Sequence, residues 1–83
     1  MAVDFIRLIP ARIVFYSGAR EEETPREFTC EGVRYVIDRL LEEQLVEDKE
    51  RSTSRVFKVR VEGGRVFTLV YRDGQGFLVQ EEY

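Results

Sequence analysis

The chain contains no histidine, no tryptophan and no asparagine, and Cys30 is its single cysteine. Each gap removes a class of chemistry. Histidine is the usual general base near neutral pH and the commonest metal ligand. A structural zinc site needs several Cys or His residues at set spacing. A lone thiol has no second cysteine to pair with, so a disulfide framework is excluded and a reducing cytosol is the expected compartment. The hydroxyls of Ser17, Ser52 and Ser54 have no histidine to activate them, and the lysines Lys49 and Lys58 lie in polar segments that would not make either one a neutral base. Long hydrophobic runs are missing too. Asp4, Arg7, Pro10 and Arg12 interrupt the apolar stretch from Met1 to Tyr16, which therefore reads as neither a signal sequence nor a membrane span. These absences point to a cytoplasmic, non-catalytic protein with no cofactor, no metal and no membrane partner.

What is present is the material of one small domain spanning residues 1–83. Hydrophobic residues make up 43% of the chain, rich in Val, Ile, Leu, Phe and Tyr, which suits a modest core and argues against disorder. The net charge of −3 is unevenly placed. Acids dominate from Glu21 to Glu50, with the clusters Glu21-Glu22-Glu23, Glu42-Glu43 and Glu47-Asp48. From Arg51 to Arg72 the bases Arg51, Arg55, Lys58, Arg60, Arg65 and Arg72 face Glu62 alone. Such asymmetry marks a nucleic-acid face or a face for an acidic partner. Arginine dominates the bases, a bias that a GC-rich or heat-adapted source also produces. The acid clusters lack calcium-loop spacing and read as solvated charge. Gly74-Gln75-Gly76 lacks the Lys-Ser or Lys-Thr of a phosphate loop and reads as a turn.

Val3–Ile9 and Arg12–Ser17 are β-prone runs on either side of Pro10, which cannot donate to a ladder and marks a boundary or an edge. In the second run Ile13 and Phe15 share one face and Val14 and Tyr16 the other, so both faces are apolar. Ser17 to Pro25 reads as a mobile loop. Glu31-Gly32 between two alternating runs predicts a two-residue hairpin turn, with Cys30 facing Val33, Phe28 facing Tyr35 and Arg26 facing Ile37. Phe28, Cys30, Val33, Tyr35 and Ile37 then share a core face, and Glu27, Thr29, Arg34 and Val36 the solvent face. Cys30 is thereby an inert core thiol. Over Asp38–Asp48, the spacing of Ile37, Leu40, Leu41 and Leu45 and a capping Asp38 favour one or two helical turns over a poorly alternating strand. Glu47–Ser54 reads as a second mobile connection.

Arg55–Glu62 and Arg65–Arg72 form a second hairpin, and Gly63-Gly64 admits two registers. A two-residue turn places Lys58, Arg60, Phe67, Leu69 and Tyr71 on one face. Aromatics interleaved with bases are how open sheets hold single-stranded nucleic acid, by stacking and phosphate contact. A three-residue loop Glu62–Gly64 instead puts Val59 opposite Phe67 and Phe57 opposite Leu69. It sends the aromatics to the core and leaves Lys58, Arg60, Thr68 and Arg72 on a solvated face. The longer loop separates polar from apolar better. Asp73–Gly76 reads as a turn, with a last strand Phe77–Glu81 carrying Phe77 and Val79 on one face.

The segments Phe28-Thr-Cys-Glu-Gly-Val-Arg-Tyr-Val-Ile-Asp-Arg-Leu40, Arg55-Val-Phe-Lys-Val-Arg-Val61 and Phe67-Thr-Leu-Val-Tyr71 resemble a family of small bacterial β-domains of unknown function. Those domains carry a Gly-turn hairpin followed by a second hairpin of similar strands. They differ from this chain in having tryptophan near the position of Leu40 or Leu41. The resemblance implies a β-rich fold and brings no catalytic or binding residue with it. The expected architecture is mainly β: a five- to six-stranded antiparallel meander curling into a small roll or barrel, with room for one short helix between the hairpins. The expected function is an interaction module that binds a protein partner or forms a homo-oligomer. Val3, Phe5, Leu8 and Ile9 are its candidate self-association segment. The alternative is a single-stranded nucleic-acid binder using Lys58, Arg60, Arg65, Phe67, Tyr71 and Arg72, and the same six residues are the candidate face for a protein partner.

Overall fold

The computed structural model describes residues 8–16, 24–47 and 53–82. Most of the first β-prone run, Val3 and Phe5 included, and most of both connections expected to be mobile lie outside the described residues. Six antiparallel strands follow in chain order: β1 (Ile9–Phe15), β2 (Pro25–Cys30), β3 (Val33–Glu47), β4 (Thr53–Val61), β5 (Val66–Arg72) and β6 (Gln75–Glu82). Each strand pairs with the next, and β6 pairs with β1, so the meander closes into a barrel. This is the mainly-β architecture expected from the sequence, and no helix occurs among the described residues.

Turn chemistry sets the registers. Glu31 (φ 51°) and Gly32 (φ 80°) make the two-residue turn, and the ladder pairs Cys30 with Val33 and Phe28 with Tyr35. The next hairpin takes the three-residue loop. Val59 pairs with Phe67 and Phe57 with Leu69, the Gly64 amide donates to the Val61 carbonyl at 3.0 Å, and the Val61 amide donates to the Arg65 carbonyl at 2.9 Å. Gly63 and Gly64 both adopt positive φ, which a side chain would strain. The last turn is shorter than expected. Asp73 and Gly74 alone form it, and Gln75 and Gly76 already belong to β6.

Alternation along these registers fills the barrel. Phe28, Phe57, Val59, Phe67 and Leu69 are all but inaccessible and pack with Ala11, Cys30, Ile37 and Val61. Phe28 stacks on Tyr35 at 4.8 Å between ring centroids and meets Phe67 edge-on at 5.4 Å. Burying each such ring is worth about 2–3 kcal/mol. On β6, Leu78 packs against this core, while Val79 is the extra residue of a bulge opposite Thr68 and Leu69.

The helical turns expected over 38–48 do not form in the described part of that segment; residues 38–47 lie in β3, and Asp48 lies outside the described residues. Two bulges explain the misleading spacing. Ile37 pairs with Val61 and Leu40 with Val59, so an extra residue at Asp38 stretches the two-residue repeat to three. A second extra residue, Leu41, separates Leu40 from Glu42. An inserted residue in a strand thus imitates the i, i+3 pattern of a helix. Pro10 is not a break between two strands either. It sits within β1 opposite Phe77, one residue before pairing to β2 begins at Ala11, so its missing donor costs no β2 bond.

The outer face of β4 and β5 is less solvated than the alternation suggests. Thr68, expected on a solvated face, is buried, as are Ser54, Val56 and Val70; Val70 is only 1% exposed. Val56, Val70, Phe77 and Pro10 are successive ladder partners across β4, β5, β6 and β1, which makes an apolar band around the outside of the barrel.

Candidate functional site

The bases of the β4–β5 hairpin are used by the fold itself. Arg55 and Arg65 belong to the inward-facing series of the hairpin and lie at its two opposite ends. At one end the Arg65 guanidinium lies 5.0 Å from the Phe67 ring centroid and 5.5 Å from that of Tyr35. Glu81 holds it there through two hydrogen bonds, donated by Nε at 2.8 Å and Nη2 at 2.7 Å. At the other end Arg55 lies 4.9 Å from the Phe57 centroid and 5.8 Å from that of Phe15, and donates to Glu43 Oε2 at 2.9 and 3.1 Å. Each end of the barrel is thus plugged by an arginine stacked on two aromatic rings and anchored by a glutamate.

Outside the barrel the same neutralisation recurs between strands, across one neighbour or, for Lys58 on β4 and Glu82 on β6, over the intervening β5. Lys58 meets Glu82 at 3.0 Å, Arg60 meets Asp38 at 3.0 Å, and Arg34 grips Glu27 with bonds of 2.7 and 2.9 Å. These partners raise the pKa of Lys58, Arg34 and Arg65, chiefly through the charged hydrogen bond. The carboxyls of Glu27 and Glu81 are lowered for the same reason. Burial pushes the Cys30 thiol up, with the nearby Glu31 carboxylate adding to the effect, so it stays protonated and weakly reactive.

Of the six candidates for a nucleic-acid or partner face, Phe67 lies inside the barrel, and Tyr71 packs half-buried against the core. Tyr71 also meets Phe15 edge-on at 4.9 Å. Lys58 and Arg60 turn outward on the opposite side of the sheet from Phe67, each on a carboxylate, and Arg72 lies beside Asp73 at 3.7 Å. The three-residue loop is the cause, because it puts Phe67 and Tyr71 on the opposite face from Lys58, Arg60 and Arg72. In the candidate self-association segment, Ile9 pairs with Leu78 and packs against the core, and Leu8 is half-buried. Ile9 is therefore not spare apolar surface.

Two features that the sequence did not single out stand where the barrel ladders run out. The first is the far half of β3. It pairs with β2 only up to Val36, and among the described residues positions 37–47 have ladder partners on β4 alone. This one-sided segment carries Leu41, 44% exposed, and Leu45, 70% exposed. The second is a wide-mouthed depression of about 650 Å³ beside the β1–β6 seam, lined among others by Arg12, Ile13, Tyr71, Gln75, Gly76 and Phe77. The seam is short, joining Ile9, Pro10 and Ala11 to Leu78, Phe77 and Gly76. It depends on the missing side chain at Gly76, where a Cβ would lie 2.6 Å from the Ala11 carbonyl oxygen and 2.7 Å from Ile13 Cγ1. Exposed leucines at helical spacing were the one sequence signal for the β3 edge, and the bulges disguised it.

Among the described residues no group of three or more His, Cys, Asp or Glu side chains is placed to hold a metal ion, and no helix is long and apolar enough to cross a membrane. No family model matches this sequence, no curated protein matches it, and no solved structure matches it.

Proposed function

We propose that this domain is a non-catalytic interaction module that takes an extended segment of a partner protein onto the one-sided half of β3. The observation that carries this reading is the exposure of Leu41 and Leu45 on a strand with a single ladder neighbour among the described residues. Free strand edges pair with incoming strands, main-chain hydrogen bonds supplying affinity and alternate side chains supplying specificity. Charge indicates the kind of partner. Positions 38–47 carry Asp38, Glu42, Glu43 and Glu47 against Arg39 alone, so a second copy would set acids beside acids. A strand alternating apolar residues with Lys or Arg fits better.

The test is selection of binders from a displayed random-peptide library, followed by amide exchange of the complex. Binders that protect 38–47, alternate basic and apolar residues, and lose affinity with Leu45→Lys support the reading. Binders that footprint elsewhere and tolerate Leu45→Lys overturn it. A concentration-dependent dimer abolished by Leu45→Lys would replace the partner with a second copy on the same edge. The nucleic-acid alternative has lost the stacking platform at Phe67. Salt-sensitive binding of labelled single strands, lost in Arg60→Glu, would restore it.

A further inference from the structure

The barrel wall opens just past the seam that closes it. β6 begins at Gln75, behind the Asp73–Gly74 turn, so β1 from Arg12 onward has no ladder partner on β6. The 650 Å³ depression occupies this opening, and its volume falls in the range of small-molecule sites, roughly 300–1,000 Å³. Its described lining contains one formal charge, Arg12, and no acid. Among the described residues Arg12, like Arg26 and Arg39, holds no carboxylate, whereas Arg34, Arg55, Lys58, Arg60 and Arg65 each do. Ile13, Tyr71 and Phe77 are the large apolar or aromatic residues of the lining, and Gln75 is a second polar residue there.

We propose that this opening binds a carboxylate carried on an apolar body. The Arg12 guanidinium takes the carboxylate, since its planar donors match two oxygens at once. Ile13, Tyr71 and Phe77 take the body. A free aryl- or alkyl-carboxylic acid and the C-terminus of an apolar peptide share this chemistry, and the site stands independently of the β3 edge.

Titration of the ¹⁵N-labelled protein tests it with two probes. One is 3-phenylpropionate beside its neutral amide; the other is a short peptide ending in phenylalanine, with its C-terminus free or amidated. The expected result is saturable shifts at the amides of Ala11, Arg12, Gln75 and Gly76, at least about tenfold weaker for the neutral analogues and in Arg12→Gln. Arg39→Gln, which removes an exposed charge from β3, should change nothing. Tighter binding of the acid or of the peptide identifies the source. No shifts at millimolar probe, equal binding of the neutral analogues, or unaltered binding by a well-dispersed Arg12→Gln protein would each overturn the proposal.

Discussion

The two ends of the barrel are plugged alike and differ in almost everything else. At the Arg65 end, Glu31-Gly32 and Glu62–Gly64 close both hairpins tightly, and the plug sits on Tyr35 and Phe67, close to Phe28. At the Arg55 end, β3 runs on beyond its pairing with β2, β1 runs on beyond its pairing with β6, and the depression and exposed leucines follow. Where strands end together, ladder pairing runs up to the turns, as at Cys30–Val33 and Arg60–Val66. Where they end unequally, edge positions and gaps remain. Binding surface is therefore expected at the Arg55 end and stability at the Arg65 end.

The largest effect should come from the closed end. Phe67→Ala removes a ring that touches Phe28, Tyr35 and Arg65 and should cost about 3–5 kcal/mol in urea denaturation. That is a large share of what a domain of this size has to lose. A cost below about 1 kcal/mol would place Phe67 on an outer face and dissolve the distinction between the ends. Next is the seam beside the open end. In Gly76→Ala the new methyl meets the Ala11 carbonyl oxygen, a backbone atom that cannot rotate away, so the seam must part. The expected cost is about 1–3 kcal/mol, with faster amide exchange at Ile9 and Leu78 as the local signature. Exchange that stays unchanged there would mean that the seam is slack.

A smaller effect comes from the charge pair at the closed end. Glu81 has its pKa lowered by the Arg65 hydrogen bonds, so its contribution to stability exists above the unfolded-state value and is lost as pH falls through the folded one. The wild type should exceed Glu81→Gln in stability at neutral pH. The gap should start to narrow as pH falls to the ordinary glutamate value, about 4.3, and close at more acid pH, below the lowered folded value. A gap that persists in acid would show that Glu81 acts through packing rather than charge.

Legibility in the sequence follows the same division. The Glu31-Gly32 turn and the core face through Phe28 and Tyr35 were readable because turn residues and a two-residue alternation are local signals, although Val33, expected on that face, is half exposed. The second hairpin only leaned to the three-residue loop, because Gly63-Gly64 suits either register and the choice rested on how well each separates polar from apolar. The bulges at Asp38 and Leu41 depend on how β3 must bend around β4, which nothing in the neighbouring residues announces, and they turned a strand into an apparent helix. Charge misled in a similar way. Acids up to Glu50 and bases from Arg51 onward look like two opposed surfaces along the chain. Folding the chain at that boundary lays β3 against β4, and the blocks cancel in part as Asp38–Arg60 and Glu43–Arg55. A segregated charge pattern broken near a turn is as consistent with a cross-strand ladder as with a nucleic-acid face. The seam depression had no signal at all, since Arg12 and Gln75 come to line one depression only through barrel closure.

The smallest expected change in stability is the one with most bearing on function. Leu45 is the most exposed of the large hydrophobic residues described, so Leu45→Lys should leave the urea midpoint within about 0.5 kcal/mol of wild type. A leucine that contributes nothing to its own fold, on a strand with one ladder neighbour among the described residues, is apolar surface where such edges are usually blunted by charge. If Leu45→Lys instead destabilises the domain by 1 kcal/mol or more, roughly the mean for a random substitution, the leucine is already packed within its own chain. The free edge would then belong to the barrel's architecture, and the comparison between its ends would reduce to one of length.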